Sequence, residues 1–229
     1  MDGELAVFLQ DFCLIDRTGI ESLVDIFRHN NKALIAPTDV RNNIRGKINR
    51  KNKEDWFDGN LNVIGDLDWV NKRNENLGIR ETENPFDFEM NYGAIPTGII
   101  KTLNGWWEFF DDGMGYDNTE IALRALKLGF KIIIDDTNKA KCLNLWPVIG
   151  GEKENVEERE FNLNTPRWLW FNRKVKDGSL PIVRDRDLDN KIHLDFKVPK
   201  KIKEKEASVW INQNANQIVE KWMNTKKDI

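Results

Sequence analysis

Two short apolar runs with an amphipathic stretch between them decide what this chain can fold into. Leu5-Ala6-Val7-Phe8-Leu9 is a continuous run of bulky residues, which fits a strand buried on both faces, as in a parallel sheet. Thr18-Gly19-Ile20-Glu21 then has the spacing of a capping box. Ile20, Leu23, Val24 and Phe27 fall at i, i+3, i+4 and i+7, one apolar face of a helix. Ala33-Leu34-Ile35-Ala36 is a second buried strand, closed by Pro37. Strand, helix and strand in that order make a βαβ unit, and such units build parallel sheets.

The rest of the chain alternates between dense and polar texture. Residues 41–85 are rich in Asn, Lys and Arg and read as a long excursion with short strands near 61–64. Residues 91–96 read as a strand, and 97–103 as a short helix ended by Asn104-Gly105. An aromatic and acidic loop covers 106–115, followed by a helix over 118–128 stopped by Gly129 and a strand over 131–134. Further on, the Glu-rich residues 151–160 should be solvated and 167–174 should form a short aromatic helix. A last helix over about 208–223 sets Ile211, Ala215, Ile218 and Trp222 on one stripe, expected to pack on the body of the same chain.

Composition excludes several functions. With 40% hydrophobic and 32% charged residues, nine Trp and twelve Phe, the chain has the make-up of a soluble globular protein rather than a disordered one. No apolar run approaches the ~20 residues of a membrane span. Thirty-five Lys plus Arg against 38 Asp plus Glu leave a net charge of -3, so no nucleic-acid partner is expected. The lysines of 197–206 read as a solvated connector. The acidic start Met1-Asp2-Gly3-Glu4 lacks a basic signal region, which points to the cytoplasm, with the inner face of a membrane equally compatible. Cys13 and Cys142 are too few for a disulfide framework and read as small buried hydrophobes. His29 and His193 are far apart, have no neighbours at zinc spacing, and read as surface or helix-end residues.

Two carboxylates could carry chemistry. Asp11 ends the first apolar run, in Phe8-Leu9-Gln10-Asp11-Phe12-Cys13. Ligands of open α/β sheets bind at the carboxyl ends of strands, where a carboxylate could share Mg²⁺ or Mn²⁺ with a diphosphate. A turn or capping aspartate is the alternative. Asp117, in Gly115-Tyr116-Asp117-Asn118-Thr119-Glu120, stands at the mouth of a helix, where backbone N–H groups and the dipole favour the ionised form. As a base it could take a proton; alternatively Asp117 and Glu120 are simply an N-cap and its N3 partner. Trp106 and Trp107, with Asp111 and Asp112 beyond them, suit carbohydrate, since rings stack on sugar C–H groups and acids accept hydroxyl protons. Core packing is the other use of such aromatics.

Taken in order, these segments resemble the later part of a family 2 glycosyltransferase of the GT-A fold. The matching pieces are residues 3–11, Asn91-Tyr92-Gly93-Ala94-Ile95-Pro96-Thr97-Gly98, Asn104-Gly105-Trp106-Trp107-Glu108 and, most specifically, 115–125 with Leu128-Gly129-Phe130-Lys131 closing it. The resemblance implies an α/β fold with a mixed, mostly parallel sheet flanked by helices. It implies an inverting transferase that moves a sugar from a nucleotide-diphosphate donor to the hydroxyl of a glycan or other acceptor. Asp117 is then the general base, Gln10 and Asp11 the diphosphate site, Asp11 the ligand of a divalent cation, and Gly93, Trp106, Trp107, Asp111 and Asp112 the substrate side. The acidic triplet usual in the family is reduced to Gln10-Asp11-Phe12, and Tyr116 replaces the Glu before the base. The nucleotide-binding half that normally precedes the first segment has no counterpart here. The expectation is therefore a partial catalytic domain over 1–145 and a helical or irregular extension over 146–229 packed on it. An uncovered sheet edge would favour self-association into a homo-oligomer. The rival expectation is a non-catalytic carbohydrate-binding or interaction module that keeps part of the transferase architecture.

Overall fold

The computed structural model describes residues 3–10, 13–42, 69–71, 77–110, 115–142, 164–195 and 204–227. Its strands are β1 (Leu5–Leu9), β2 (Cys13–Ile15), β3 (Ala33–Asn42), β4 (Trp69–Asn71), β5 (Ile79–Thr82), β6 (Tyr92–Pro96) and β7 (Lys131–Cys142). Its helices are α1 (Gly19–His29), α2 (Thr97–Leu103), α3 (Asp117–Lys127), α4 (Asn164–Lys176), α5 (Arg186–Asp195) and α6 (Glu204–Lys227). Two 3-10 turns, Pro85–Asp87 and Glu108–Phe110, complete the described elements. The strands form one sheet of order β1-β6-β3-β7-β2, with β4 added to β3 and β5 to β7.

The sheet is mixed, and its parallel character is smaller than the apolar runs suggest. Only β3 and β7 pair in parallel among the described strands. β1 and β3 do run in the same direction, as a βαβ unit requires, but β6 inserts between them antiparallel to both. Apolar run length reports burial, not strand direction, so a distant segment can enter the unit unseen. β1 is also not buried on both faces. It lies at the end of the sheet order, and Val7 and Leu9 are 38% and 47% exposed.

Side-chain alternation divides the core. Ala33, Ile35, Ala94 and Ile133 face α1 together with Leu23 and Ile26. Leu34, Ala36, Ile95 and Ile132 face α2 and α3, meeting Ile99, Ile100, Leu103, Ile121, Ala122 and Ala125. A third, aromatic core lies beyond α3, where Leu123, Trp107, Phe109, Trp168, Trp170 and Phe171 pack with Ile211, Ala215 and Val219 of α6. Helix α1 is rotated from the expected face: Leu23 and Ile26 are buried while Ile20 is 46% exposed. Thr18 makes no side-chain cap bond, so the capping-box spacing is not used as one. α2 ends where expected, with Asn104 left-handed at φ 58, and Gly129 after α3 has φ 82. The strands expected near 61–64 and the Glu-rich 151–160 lie outside the described residues.

Pro37 does not close its strand. β3 continues to Asn42, but the register with β7 jumps there: Pro37 faces Asp135 and Thr38 faces Lys139. Proline cannot donate to the ladder and is tolerated at such a bulge. Two aspartates brace the bulged residues of β7. Asp135 accepts from Ser22 Oγ at 2.8 Å, Thr137 N at 3.0 Å and Asn138 N at 3.2 Å. Asp136 accepts from Thr38 Oγ1 at 2.6 Å, from the Arg80 guanidinium and from Leu77 N at 3.4 Å.

Burial by itself would raise the Asp136 carboxyl, but these donors outweigh it and hold the group below the usual aspartate range. A depressed carboxyl contributes stability above its unfolded value, and that contribution is lost as pH falls through the folded value. Asp136→Asn should therefore cost about 2 kcal/mol at neutral pH. Urea denaturation at about pH 7 and about pH 3 should also show a shallower acid loss than in the parent chain. Equal acid slopes in the two proteins would rule out this role.

Candidate functional site

Helix α3 carries the predicted base, and its neighbours are tightly held. Gly115 at φ 74 and Tyr116 at φ 73 are both left-handed, which turns the chain sharply into the helix. Asn164, at the start of α4, is fully buried, and its Nδ2 donates to both the Phe110 and the Gly115 carbonyl at 2.9 Å. One amide therefore joins the two ends of the segment 111–114. Asp117 follows as the first residue of α3, exposed, and among the described residues its carboxylate takes no hydrogen bond or ion pair.

The capping alternative for Asp117 fails on Glu120. That residue is fully buried and does not reach back to the helix start. Its Oε2 accepts from Arg124 Nε at 2.6 Å, and its Oε1 accepts from Arg124 Nη2 at 3.0 Å and Trp107 N at 2.9 Å. Arg124, equally buried, also donates to the carbonyls of Leu103 at 2.9 Å, Gly105 at 2.7 Å and Ile182 at 3.3 Å. The ion pair thus bolts α3 to the segment 103–107. A second network continues it: Arg184 donates to Asp189 at 2.5 Å and Glu108 at 2.6 Å, and Asp189 accepts from Glu108 N at 3.0 Å. Burial raises the Asp189 carboxyl despite these donors.

The predicted substrate-side residues divide. Trp107 is 1% exposed and meets Phe171 edge-on at 5.7 Å, so its ring belongs to the aromatic core and offers no open face for a sugar. Trp106 is half-buried, edge-on to Phe8 at 5.8 Å. Gly93 is buried in β6 opposite Phe8, and its place there is steric. An added Cβ would come within 2.8 Å of the Glu89 carbonyl and 3.2 Å of the Ile35 carbonyl. Gly93→Ala should accordingly destabilise the fold by about 1–3 kcal/mol, measured by denaturant titration. A neutral effect would mean that the two carbonyls move aside freely. Gln10 is exposed beyond β1, held by its N–H to the Asn91 carbonyl at 2.9 Å. Asp11, Asp111 and Asp112 lie outside the described residues.

Three rings beside Asp117 did not stand out in the sequence. Tyr116 stacks on Trp168 at 5.7 Å, and Phe86, half-exposed on its 3-10 turn, meets them edge-on at 6.3 Å and 5.4 Å. Asn118 Nδ2 donates to the Phe88 carbonyl at 3.3 Å, fixing that turn to the helix start. Phe86 and Trp168 are distant in sequence from the base, and only the position of Tyr116 next to Asp117 could have signalled the group. A groove of about 530 Å³ between α1 and Ile79, lined by Thr18, Glu21, Ser22, Asp25, His29 and Asn30, contains none of the predicted site residues. Among the described residues no group of three or more His, Cys, Asp or Glu could hold a metal ion.

No protein-family model matches the chain. No curated protein matches it in sequence. Among solved structures, the chain is similar to one described as "Crystal structure of GalNAc-T7 with UDP, GalNAc and Mn2+", at TM-score 0.45 and 10% identity over 95% of this chain. The chain spans about 40% of the length of that protein. No helix among the described residues is long and apolar enough to cross a membrane.

Proposed function

We propose that the chain carries part of an inverting glycosyltransferase that moves a sugar from a nucleotide-diphosphate donor to an acceptor hydroxyl. The acceptor hydroxyl oxygen attacks the anomeric carbon of the donor, the bond to the diphosphate breaks, and Asp117 takes the hydroxyl proton. Gln10 and Asp11 would hold the diphosphate, directly or with a divalent ion shared between Asp11 and the diphosphate oxygens. Residues 1–145 would form the catalytic part and 146–229 its supporting extension.

The observation that carries the reading is the state of Asp117. A structural aspartate at a helix start normally caps something, whereas this carboxylate is exposed and uncommitted among the described residues. The groups around it are fixed by a buried ion pair and a buried amide. Such an arrangement keeps the acid in place and leaves its oxygens available, as a base requires. Half-exposed Phe86, with Tyr116 behind it, supplies the apolar face that a sugar ring needs. Trp106 keeps part of its surface open, whereas the Trp107 ring is enclosed in the aromatic core.

Calorimetric titration of the chain with UDP and GDP, with and without Mn²⁺, tests this. Heat on adding a nucleotide, strengthened by the metal, supports the transferase and Asp11 as its donor-side acid. Heat only with free glycans supports the non-catalytic module instead. Silence with nucleotides and glycans alike would remove both.

A further inference from the structure

On the transferase reading above, we propose that Asn164 is a positioning residue for Asp117, gripping from α4 the strained turn that leads into the base. Gly115 and Tyr116 hold φ of 74 and 73. Glycine takes this left-handed conformation as readily as the ordinary one, but a residue as bulky as tyrosine takes it only where its surroundings impose it. The Tyr116 carbonyl accepts from Glu120 N at 2.8 Å, the first backbone bond of α3. The conformation of Tyr116 therefore also sets where the helix begins and where Asp117, its first residue, stands.

Two side chains of α4 hold that conformation. Asn164 and Trp168 are four apart, so they share one face of the helix. Asn164 Nδ2 donates to the Gly115 and Phe110 carbonyls, both at 2.9 Å, and its Oδ1 accepts from Arg167 Nη1 at 3.1 Å. Both ends of the amide are thus committed, and Arg167 is itself buried over the Phe109 ring at 5.3 Å. The Trp168 ring, buried as well, stacks on Tyr116 at 5.7 Å and 20°. The amide fixes the peptide plane on one side of the Tyr116 N–Cα bond, and the indole fixes the ring on the other. Between them φ has no freedom left. Without the amide, φ returns to the negative region, which draws the ring off Trp168 and swings the Tyr116 carbonyl away from Glu120 N. Asp117 is displaced with them, and a misplacement of about 1 Å can cost on the order of 10²-fold in rate.

Asn164→Ala and Asn164→Asp in the full chain test this, the second keeping the size of the side chain and losing its N–H donor. The chain has two tyrosines, so fluorotyrosine labelling gives one fluorine signal from Tyr116 and one from buried Tyr92 as an internal control. In the parent chain the Tyr116 signal should be displaced by the Trp168 ring current relative to the chain in urea. The Tyr116 amide should also show the strong NOE to its own Hα that a positive φ produces. Either variant should lose most of the displacement and the NOE, while the Tyr92 signal stays in place. In sugar transfer kcat should fall roughly 10- to 100-fold with KM for the nucleotide sugar unchanged. Unmoved Tyr116 signals in the variants would overturn the positioning role, even with a lowered melting temperature. So would a weak NOE in the parent chain, an unchanged kcat beside a lost NOE, or failure of both variants to fold. A parent chain without transfer activity would instead overturn the transferase reading, and the Tyr116 signals would still decide whether Asn164 holds the turn.

Discussion

On the proposed function, an Asp117→Asn chain should keep its fold and lose sugar transfer by a factor on the order of 10² or more. The two halves of that expectation come from the same observation. The carboxylate is exposed and takes no partner among the described residues, so an isosteric amide disturbs no contact. The remaining structural loss is the favourable position of a negative charge at a helix N-terminus, which should move the melting temperature by no more than about 3 °C. An amide, by contrast, cannot accept the proton that the attacking hydroxyl must give up. Transfer is read as nucleotide released from UDP- and GDP-sugars in the presence of acceptor, with nucleotide affinity measured alongside. Turnover should fall while affinity for the free nucleotide stays put, because the proposed base would meet the acceptor and not the diphosphate. If turnover is spared and only the melting temperature drops, Asp117 is a helix-start residue and the transferase proposal fails.

Arg124→Met should destabilise the protein by about 3–5 kcal/mol, because it leaves the Glu120 carboxylate buried without its counter-charge. For a chain of this size that corresponds to a drop of about 10 °C in melting temperature. The substitution also leaves the carbonyls of Leu103 and Gly105 without the guanidinium. Replacing both partners, as Glu120→Leu with Arg124→Met, removes the stranded charge. The double variant should recover a good part of the loss and be more stable than the single Arg124→Met chain. A cost below about 1 kcal/mol for Arg124→Met would show that the ion pair is not what bolts α3 to residues 103–107.

What could be read ahead of the structure was local. The limits of α2 and α3 follow from Asn104, Gly105 and Gly129, residues that take up positive φ more readily than others and so often end helices. Strand order could not be read in this way. The insertion of β6 between β1 and β3 is a contact between residues about ninety positions apart, for which hydrophobic periodicity has no signal. Pro37 misled because a proline is disfavoured inside a paired strand, yet here the register shifts at that residue and the strand goes on. Glu120 misled in a more instructive way. Its distance of three from Asp117 suggests a cap, its distance of four from Arg124 suggests an ion pair, and both spacings are present in the same turn. Burial chose between them: a fully enclosed glutamate calls for a counter-charge, and among the described residues Arg124 supplies it. Trp107 was ambiguous for a similar reason, since an aromatic next to acids suits a sugar or a core equally, and Phe171 arrives from a distant helix to decide for the core.

The offset in β7 has a consequence for how the gene can vary. Ahead of it, odd-numbered Ile133 looks toward α1; beyond it, even-numbered Ala140 does. Three additional residues, opposed by none in β3, have exchanged the two sides of the strand. Loss or gain of a single codon between 136 and 138 would turn everything downstream upside down, sending Lys139 inward and Ala140 out, whereas a change of two would keep the sidedness. Length variation at this point should therefore be found in pairs or not at all.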